Sequence, residues 1–199
     1  YGTLVTNLIK DYEDIQDVNA QLEKMGFNIG QRLIDEFLAK TTMDPCVDFR
    51  ETSEVVAKVA FKMYLGVTCE VLDFNPDANS FRLIIPENPL NDFVELPGNY
   101  SALWYSNVLC GILRGSLEAI QLKVKCEYVK DTLKGDDTNE IRVVLEEILA
   151  VRIDSDDDQA RHFRLLWDLR IFLVYSPRNK CPVRNSSERK NSIYSFHRI

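Results

Sequence analysis

The sequence predicts an α+β domain in which helices come first and two antiparallel hairpins follow, separated by one further helix. Three observations carry this expectation. Apolar residues recur at helical spacing from residue 1 to residue 64. From about residue 67 the spacing changes to alternation. Between two alternating stretches lies a segment, 101–121, that is apolar almost all round. The order ααα, ββ, α, ββ makes a four-stranded antiparallel sheet of two hairpins, with about four helices covering one face. No βαβ run carries a glycine-rich phosphate loop, which excludes the Rossmann and P-loop classes.

Each element has a local reason. In residues 1–13, Leu4, Val5, Leu8 and Ile9 share a helical face that Tyr12 extends. Residues 18–40 repeat the pattern more strongly, with Leu22, Met25, Ile29, Leu33 and Phe37 in one stripe. Gly26 and Gly30 lie four apart on that side. They allow either a close helix–helix contact or room for a ligand or partner, at up to about 1 kcal/mol each against Ala. Residues 41–48 form a loop, because Pro45 stops the helix. Asp48 and Glu51 in DFRE then resemble a capping box that starts a helix over Phe49–Tyr64, which Gly66 ends. Residues 67–75 and 81–85 alternate around an Asn-Pro-Asp turn, and 86–100 are loop. The central helix 101–121 carries Gly111 and Gly115, again four apart. Residues 122–129 and 141–145 alternate around Lys134-Gly135-Asp136-Asp137 and make the second hairpin.

The chain has 199 residues and a formal net charge of −7. Residues 1–150 hold 14 basic and 25 acidic side chains, net −11, and residues 151–199 hold 10 and 6, net +4. Two composition regimes therefore meet near residue 150. An acidic body is a poor match for nucleic acid, whose phosphates need a basic face. The chain starts at Tyr1 within a helical pattern and is read as truncated there. Both histidines, His162 and His197, belong to the basic end. The body therefore lacks a Ser-His-Asp or Cys-His arrangement and most zinc chemistry. The acidic run Asp154–Asp158 lacks the spacing of a calcium loop and reads as linker. No catalytic residue and no metal ligand is assigned.

Five cysteines, 46, 69, 110, 126 and 181, include no C-x-x-C pair and read as reduced thiols. Cys46 stands two residues before the helix cap at Asp48. The positive end of a helix favours thiolate there, and an apolar setting opposes it. The residues alone leave two readings open: a small packing cysteine, or a nucleophile at the mouth of an apolar cavity that carries a thioester-linked acyl chain.

Six stretches resemble one family. They are YGTLVTNLIKDYED, VNAQLEKMGFNIGQRLIDEFLAKT, FRETSEVVAKVAFKMYLGVT, FRLIIPENPLNDFVELP, LWYSNVLCGILRGSLE and VKDTLKGDDTNEIRV. In order, they are similar to the Bet-three type small subunit of TRAPP, the transport protein particle, and cover about residues 1–149. The resemblance implies an α/β plait. It implies a non-enzymatic subunit of a complex that tethers ER-derived vesicles at the early Golgi and forms part of a Rab guanine-nucleotide-exchange core. It implies a heterodimer with other small TRAPP subunits, or a homodimer, and a cytoplasmic protein held peripherally at the cis-Golgi and endoplasmic reticulum. It also implies a palmitoyl-type chain on Cys46, lying in a tunnel between the helices of 18–40 and 49–64. Gly30, Leu33, Val56 and Ala60 are the candidate lining residues. No other cofactor is expected. Pro45 stands where the family often has a basic residue. Family members end in a short acidic tail, whereas here 150–199 form an atypical basic tail, expected to be disordered or artefactual, with a membrane-surface or partner helix as the second reading. A stand-alone fatty-acyl carrier is the alternative function.

Overall fold

The computed structural model describes residues 1–41 and 46–149. The expectations for Pro45, for the two histidines, for Cys181 and for the tail lie outside the described residues. The α+β class is present, with a four-stranded antiparallel sheet and helices packed on it.

Helix α1 spans Gly2–Asp11 and α2 spans Ile15–Lys40. The second helix begins three residues earlier than its apolar stripe suggests. Asp14 caps it, its carboxylate accepting the Gln16 N–H at 2.9 Å. Helix α3, Phe49–Val55, starts where the DFRE pattern places it. Asp48 Oδ1 accepts the Glu51 N–H at 2.7 Å, and the Glu51 carboxylate accepts the Val47 N–H. The box thus closes one residue upstream of the usual partner.

The predicted single helix over Phe49–Tyr64 is interrupted by a π-helical turn, Val56–Ala60, before α4, Phe61–Leu65. There the Phe61 N–H reaches back to the Val56 carbonyl. The Ala57 carbonyl instead accepts the Cys69 N–H at 3.0 Å. That bond ties the chain entering the sheet to the helix, and the first strand starts only at Glu70 rather than at residue 67. Gly66, at φ 76°, makes the left-handed turn that ends α4.

Strands β1 (Glu70–Asn75) and β2 (Ser80–Ile85) form the first hairpin, and β3 (Leu122–Lys130) and β4 (Asn139–Ile148) the second. The sheet order is β1-β2-β4-β3, so the hairpins join through β2 and β4. Phe81 pairs with Val143 and Leu83 with Ile141, and all four are buried. The main core lies between this face and the helices, where Leu109, Leu113 and Leu117 of α5 (Val108–Ala119) are buried. A second cluster gathers Val5, Val18, Leu22, Leu103 and Tyr105 under α1.

The expected helix over 101–121 begins only at Val108. Asn19 of α2 takes the backbone that would have started it. Its Oδ1 accepts the Trp104 N–H at 2.9 Å and its Nδ2 donates to the Ala102 carbonyl at 3.0 Å. Leu103, freed from a helix, is fully buried in the second cluster.

Helices α2 and α5 touch backbone to backbone. A Cβ on Gly26 would stand 2.1 Å from the Val108 carbonyl oxygen, and one on Gly30 2.2 Å from that of Ile112. Conversely, a Cβ on Gly111 would stand 2.0 Å from the Glu23 oxygen and one on Gly115 2.2 Å from that of Phe27. Ser116 Oγ donates to the Gly30 carbonyl at 3.0 Å across the same seam. Ile29 of the predicted stripe points away from this contact and is 43% exposed.

Candidate functional site

The π-helical turn and α4 present Ala60, Phe61, Tyr64 and Leu65 toward α2 and α5. Together with Leu33 of α2 and Leu109, Ile112 and Leu113 of α5 they line a cavity of about 270 Å³. The lining is apolar apart from the Tyr64 hydroxyl, which donates to the Leu33 carbonyl at 3.0 Å. Such a space favours hydrocarbon over water, because it offers water too few polar partners.

Of the four lining residues proposed from the sequence, Leu33 and Ala60 border this cavity. Gly30 does not: the space its missing side chain leaves is filled by the α5 backbone. Val56 packs against the main core one turn before Ala60. The contribution of α5 was absent from the sequence-based set. Its signal was the all-round apolarity of 101–121, which left one face without an assigned neighbour. Tyr64, four positions after Ala60, follows from helical geometry once Ala60 is placed, whereas Phe61 and Leu65, themselves four apart, border the cavity from the adjacent stripe.

Cys46 lies at the opposite end of the α3–α4 segment, half-buried. Twelve residues separate Asp48 from Ala60, or about 18 Å along a helix axis. The buried ring of Phe49 follows Cys46 by three positions and packs on Phe81 at 5.4 Å between centroids. Burial raises the Cys46 thiol above its ordinary value, and the charges of Glu51 and Asp48 push the same way. A hydrogen bond with the Thr52 side chain and one with the backbone act in the opposite direction. Desolvation and the two carboxylates together outweigh these hydrogen bonds, and the thiol is protonated at neutral pH. Burial also pushes the Cys69 thiol up to about 12 and raises those of Cys110 and Cys126.

A second, more open groove of about 440 Å³ runs between α1 and the segment around residues 93–97, bordered by Val5, Ile9, Val94, Leu96 and Tyr100. Phe93 at its edge is fully exposed with φ 59°, an uncommon backbone state for an aromatic residue. Leu4 on α1 and Ile29 on α2 are also exposed. Among the described residues, no group of three or more His, Cys, Asp or Glu could hold a metal ion, and no helix is long and apolar enough to cross a membrane.

The family model of the transport protein particle (TRAPP) component matches residues 1–144. The chain is 60% identical over 151 residues to trafficking protein particle complex subunit 3 of Dictyostelium discoideum, covering 75% of this chain and 81% of the relative. It is 47% identical over 160 residues to trafficking protein particle complex subunit BET3 of Saccharomyces cerevisiae, covering 79% and 83%. Among solved structures, it is similar to a trafficking protein particle complex subunit 3 from Naegleria fowleri covalently bound to palmitic acid. That likeness has a TM-score of 0.72 and 50% identity, and covers 75% of this chain and 92% of the other. The matched sequence spans every helix and strand described above except the last residues of β4, and on that ground the chain belongs to the TRAPP component family.

Proposed function

We propose that this chain is a non-enzymatic subunit of a TRAPP vesicle-tethering complex, working between the endoplasmic reticulum and the Golgi. In this reading it belongs to the core that exchanges nucleotide on a Rab GTPase, and it carries a palmitoyl-type chain on Cys46. One observation carries the acyl reading: an apolar cavity between α2, α4 and α5 in a chain half-identical to a subunit 3 that holds palmitic acid covalently. Burying a methylene contributes about 0.8 kcal/mol, so eight of them contribute about 6 kcal/mol. A chain so placed is part of the core rather than a membrane anchor. The exposed apolar residues of α1 and α2, Leu4 and Ile29, suit a heterodimer with a related small subunit, or a homodimer. Membrane contact is then peripheral and made by the assembly.

The reaction at Cys46 is simple in its balance. The thiol loses its proton, its sulfur attacks the carbonyl of an acyl thioester, and the donor leaves as a thiol.

The test is intact mass of the full chain from cells, before and after hydroxylamine. A hydroxylamine-sensitive adduct that disappears in Cys46→Ser is expected. Cys46→Ser should lower the melting temperature and leave membrane association intact. An adduct on Cys69, Cys110 or Cys126 would sink the assignment. Release from membranes without loss of stability would show an external anchor. Co-purification should recover other small TRAPP subunits. Their absence, together with lipid exchange by the monomer, would favour a stand-alone fatty-acyl carrier.

A further inference from the structure

We infer that Tyr64 and Leu33 form the end wall of the cavity and set the longest acyl chain that the protein accepts. This rests on the reading of the cavity as the chamber of a chain attached to Cys46. Tyr64 lies four residues beyond Ala60 on the side away from Cys46, about 6 Å further along the axis. Its hydroxyl crosses from α4 to α2 to reach the Leu33 carbonyl at 3.0 Å, and both residues line the cavity. The bond fixes the ring across the gap between the two helices, so the wall is held by a directional contact rather than by packing alone.

The environment also changes at this point. Tyr64 feels the charges of Glu36 and Lys40, which form an exposed ion pair on the next turn of α2. A methyl terminus pushed past Tyr64 leaves the apolar lining and meets that pair, so geometry and polarity stop the chain at the same place.

The lengths agree with this. An extended chain advances about 1.2 Å per bond. Asp48 to Ala60 is about 18 Å and Asp48 to Tyr64 about 24 Å along the axis. Chains of about fifteen carbons reach Ala60 and chains of about twenty reach the Tyr64 wall. Chains of sixteen and eighteen carbons end before the wall, and chains longer than about twenty carbons do not fit.

The experiment loads the full chain with an equimolar mixture of saturated acyl-CoA from twelve to twenty-two carbons and reads the adducts by intact mass. For the wild type, occupancy should fall sharply above about twenty carbons. Tyr64→Ala should raise the ratio of twenty-two-carbon to sixteen-carbon adduct by about fivefold or more. Tyr64→Phe keeps the ring, loses the bond, and should give a smaller rise in the same direction while remaining folded. Both variants loading with the wild-type length profile would overturn the wall. If Tyr64→Ala does not fold, an unchanged profile in Tyr64→Phe overturns it. A wild type with no adduct on Cys46 under any donor overturns the acyl reading itself, and the wall with it.

Discussion

Helix α5 meets its two helical neighbours in opposite ways within a few turns. Against α2 there is no gap at all: Gly111 and Gly115 let carbonyls of Glu23 and Phe27 approach to where a side chain would begin. Against α4 there is a cavity bordered by Leu109, Ile112 and Leu113. Ile112 takes part in both, since its carbonyl faces Gly30 while the residue also borders the cavity. The difference is that glycine and alanine do opposite things here. The glycines remove space by drawing two backbones together. Ala60 leaves space open, because at the border of the cavity its own side chain stops at one carbon.

Breaking the closed seam should have the largest effect. Gly111→Ala puts a methyl 2.0 Å from a backbone oxygen that no side-chain movement can relieve. Overpacking costs about 1–3 kcal/mol and more where backbone must move, so a loss of at least about 3 kcal/mol is expected in urea unfolding. Gly98→Ala, where nothing lies within 4 Å, should change stability by no more than about 0.5 kcal/mol. Equal stability of the two variants would mean that the helices are not in backbone contact.

Filling the open side should cost much less. Ala60→Leu adds carbons into existing space, and a change in stability of about 1 kcal/mol or less in the unacylated protein is expected. The same variant should carry no acyl adduct. A folded Ala60→Leu protein with normal acylation would show that the chain runs elsewhere.

The smallest effect sharpens the comparison at the cavity's far end. The Cys46 thiol is raised by burial, then by Glu51 and Asp48. Only the thiolate attacks, so transfer from acyl-CoA should be slow at neutral pH and rise about tenfold per pH unit while the thiol stays mostly protonated. A rate that is flat between pH 7 and 8 would mean a thiolate already formed, and an electrostatic setting other than the one described.

The sequence by itself determined much of this protein. The order of helices and strands, the start of α3 at Asp48, both hairpins and the paired glycines are all local signals. Each depends on residues within a turn or a strand repeat of one another. Cys46, Leu33 and Ala60 could be named on resemblance and helical spacing. Tertiary structure decided the rest. Asn19 captured the backbone of 102–104 and shortened α5. The Cys69 N–H took the Ala57 carbonyl at the π-helical turn. Of the two glycine readings, Gly30 went to helix contact, because the backbone that fills its space comes from residues 112–116. The hairpins joined through β2 and β4, which neither hairpin's own pattern specifies. The cavity is the clearest case. It is a gap among three helices distant in sequence, and periodicity states which face a residue occupies but not how far away the opposing face will stand.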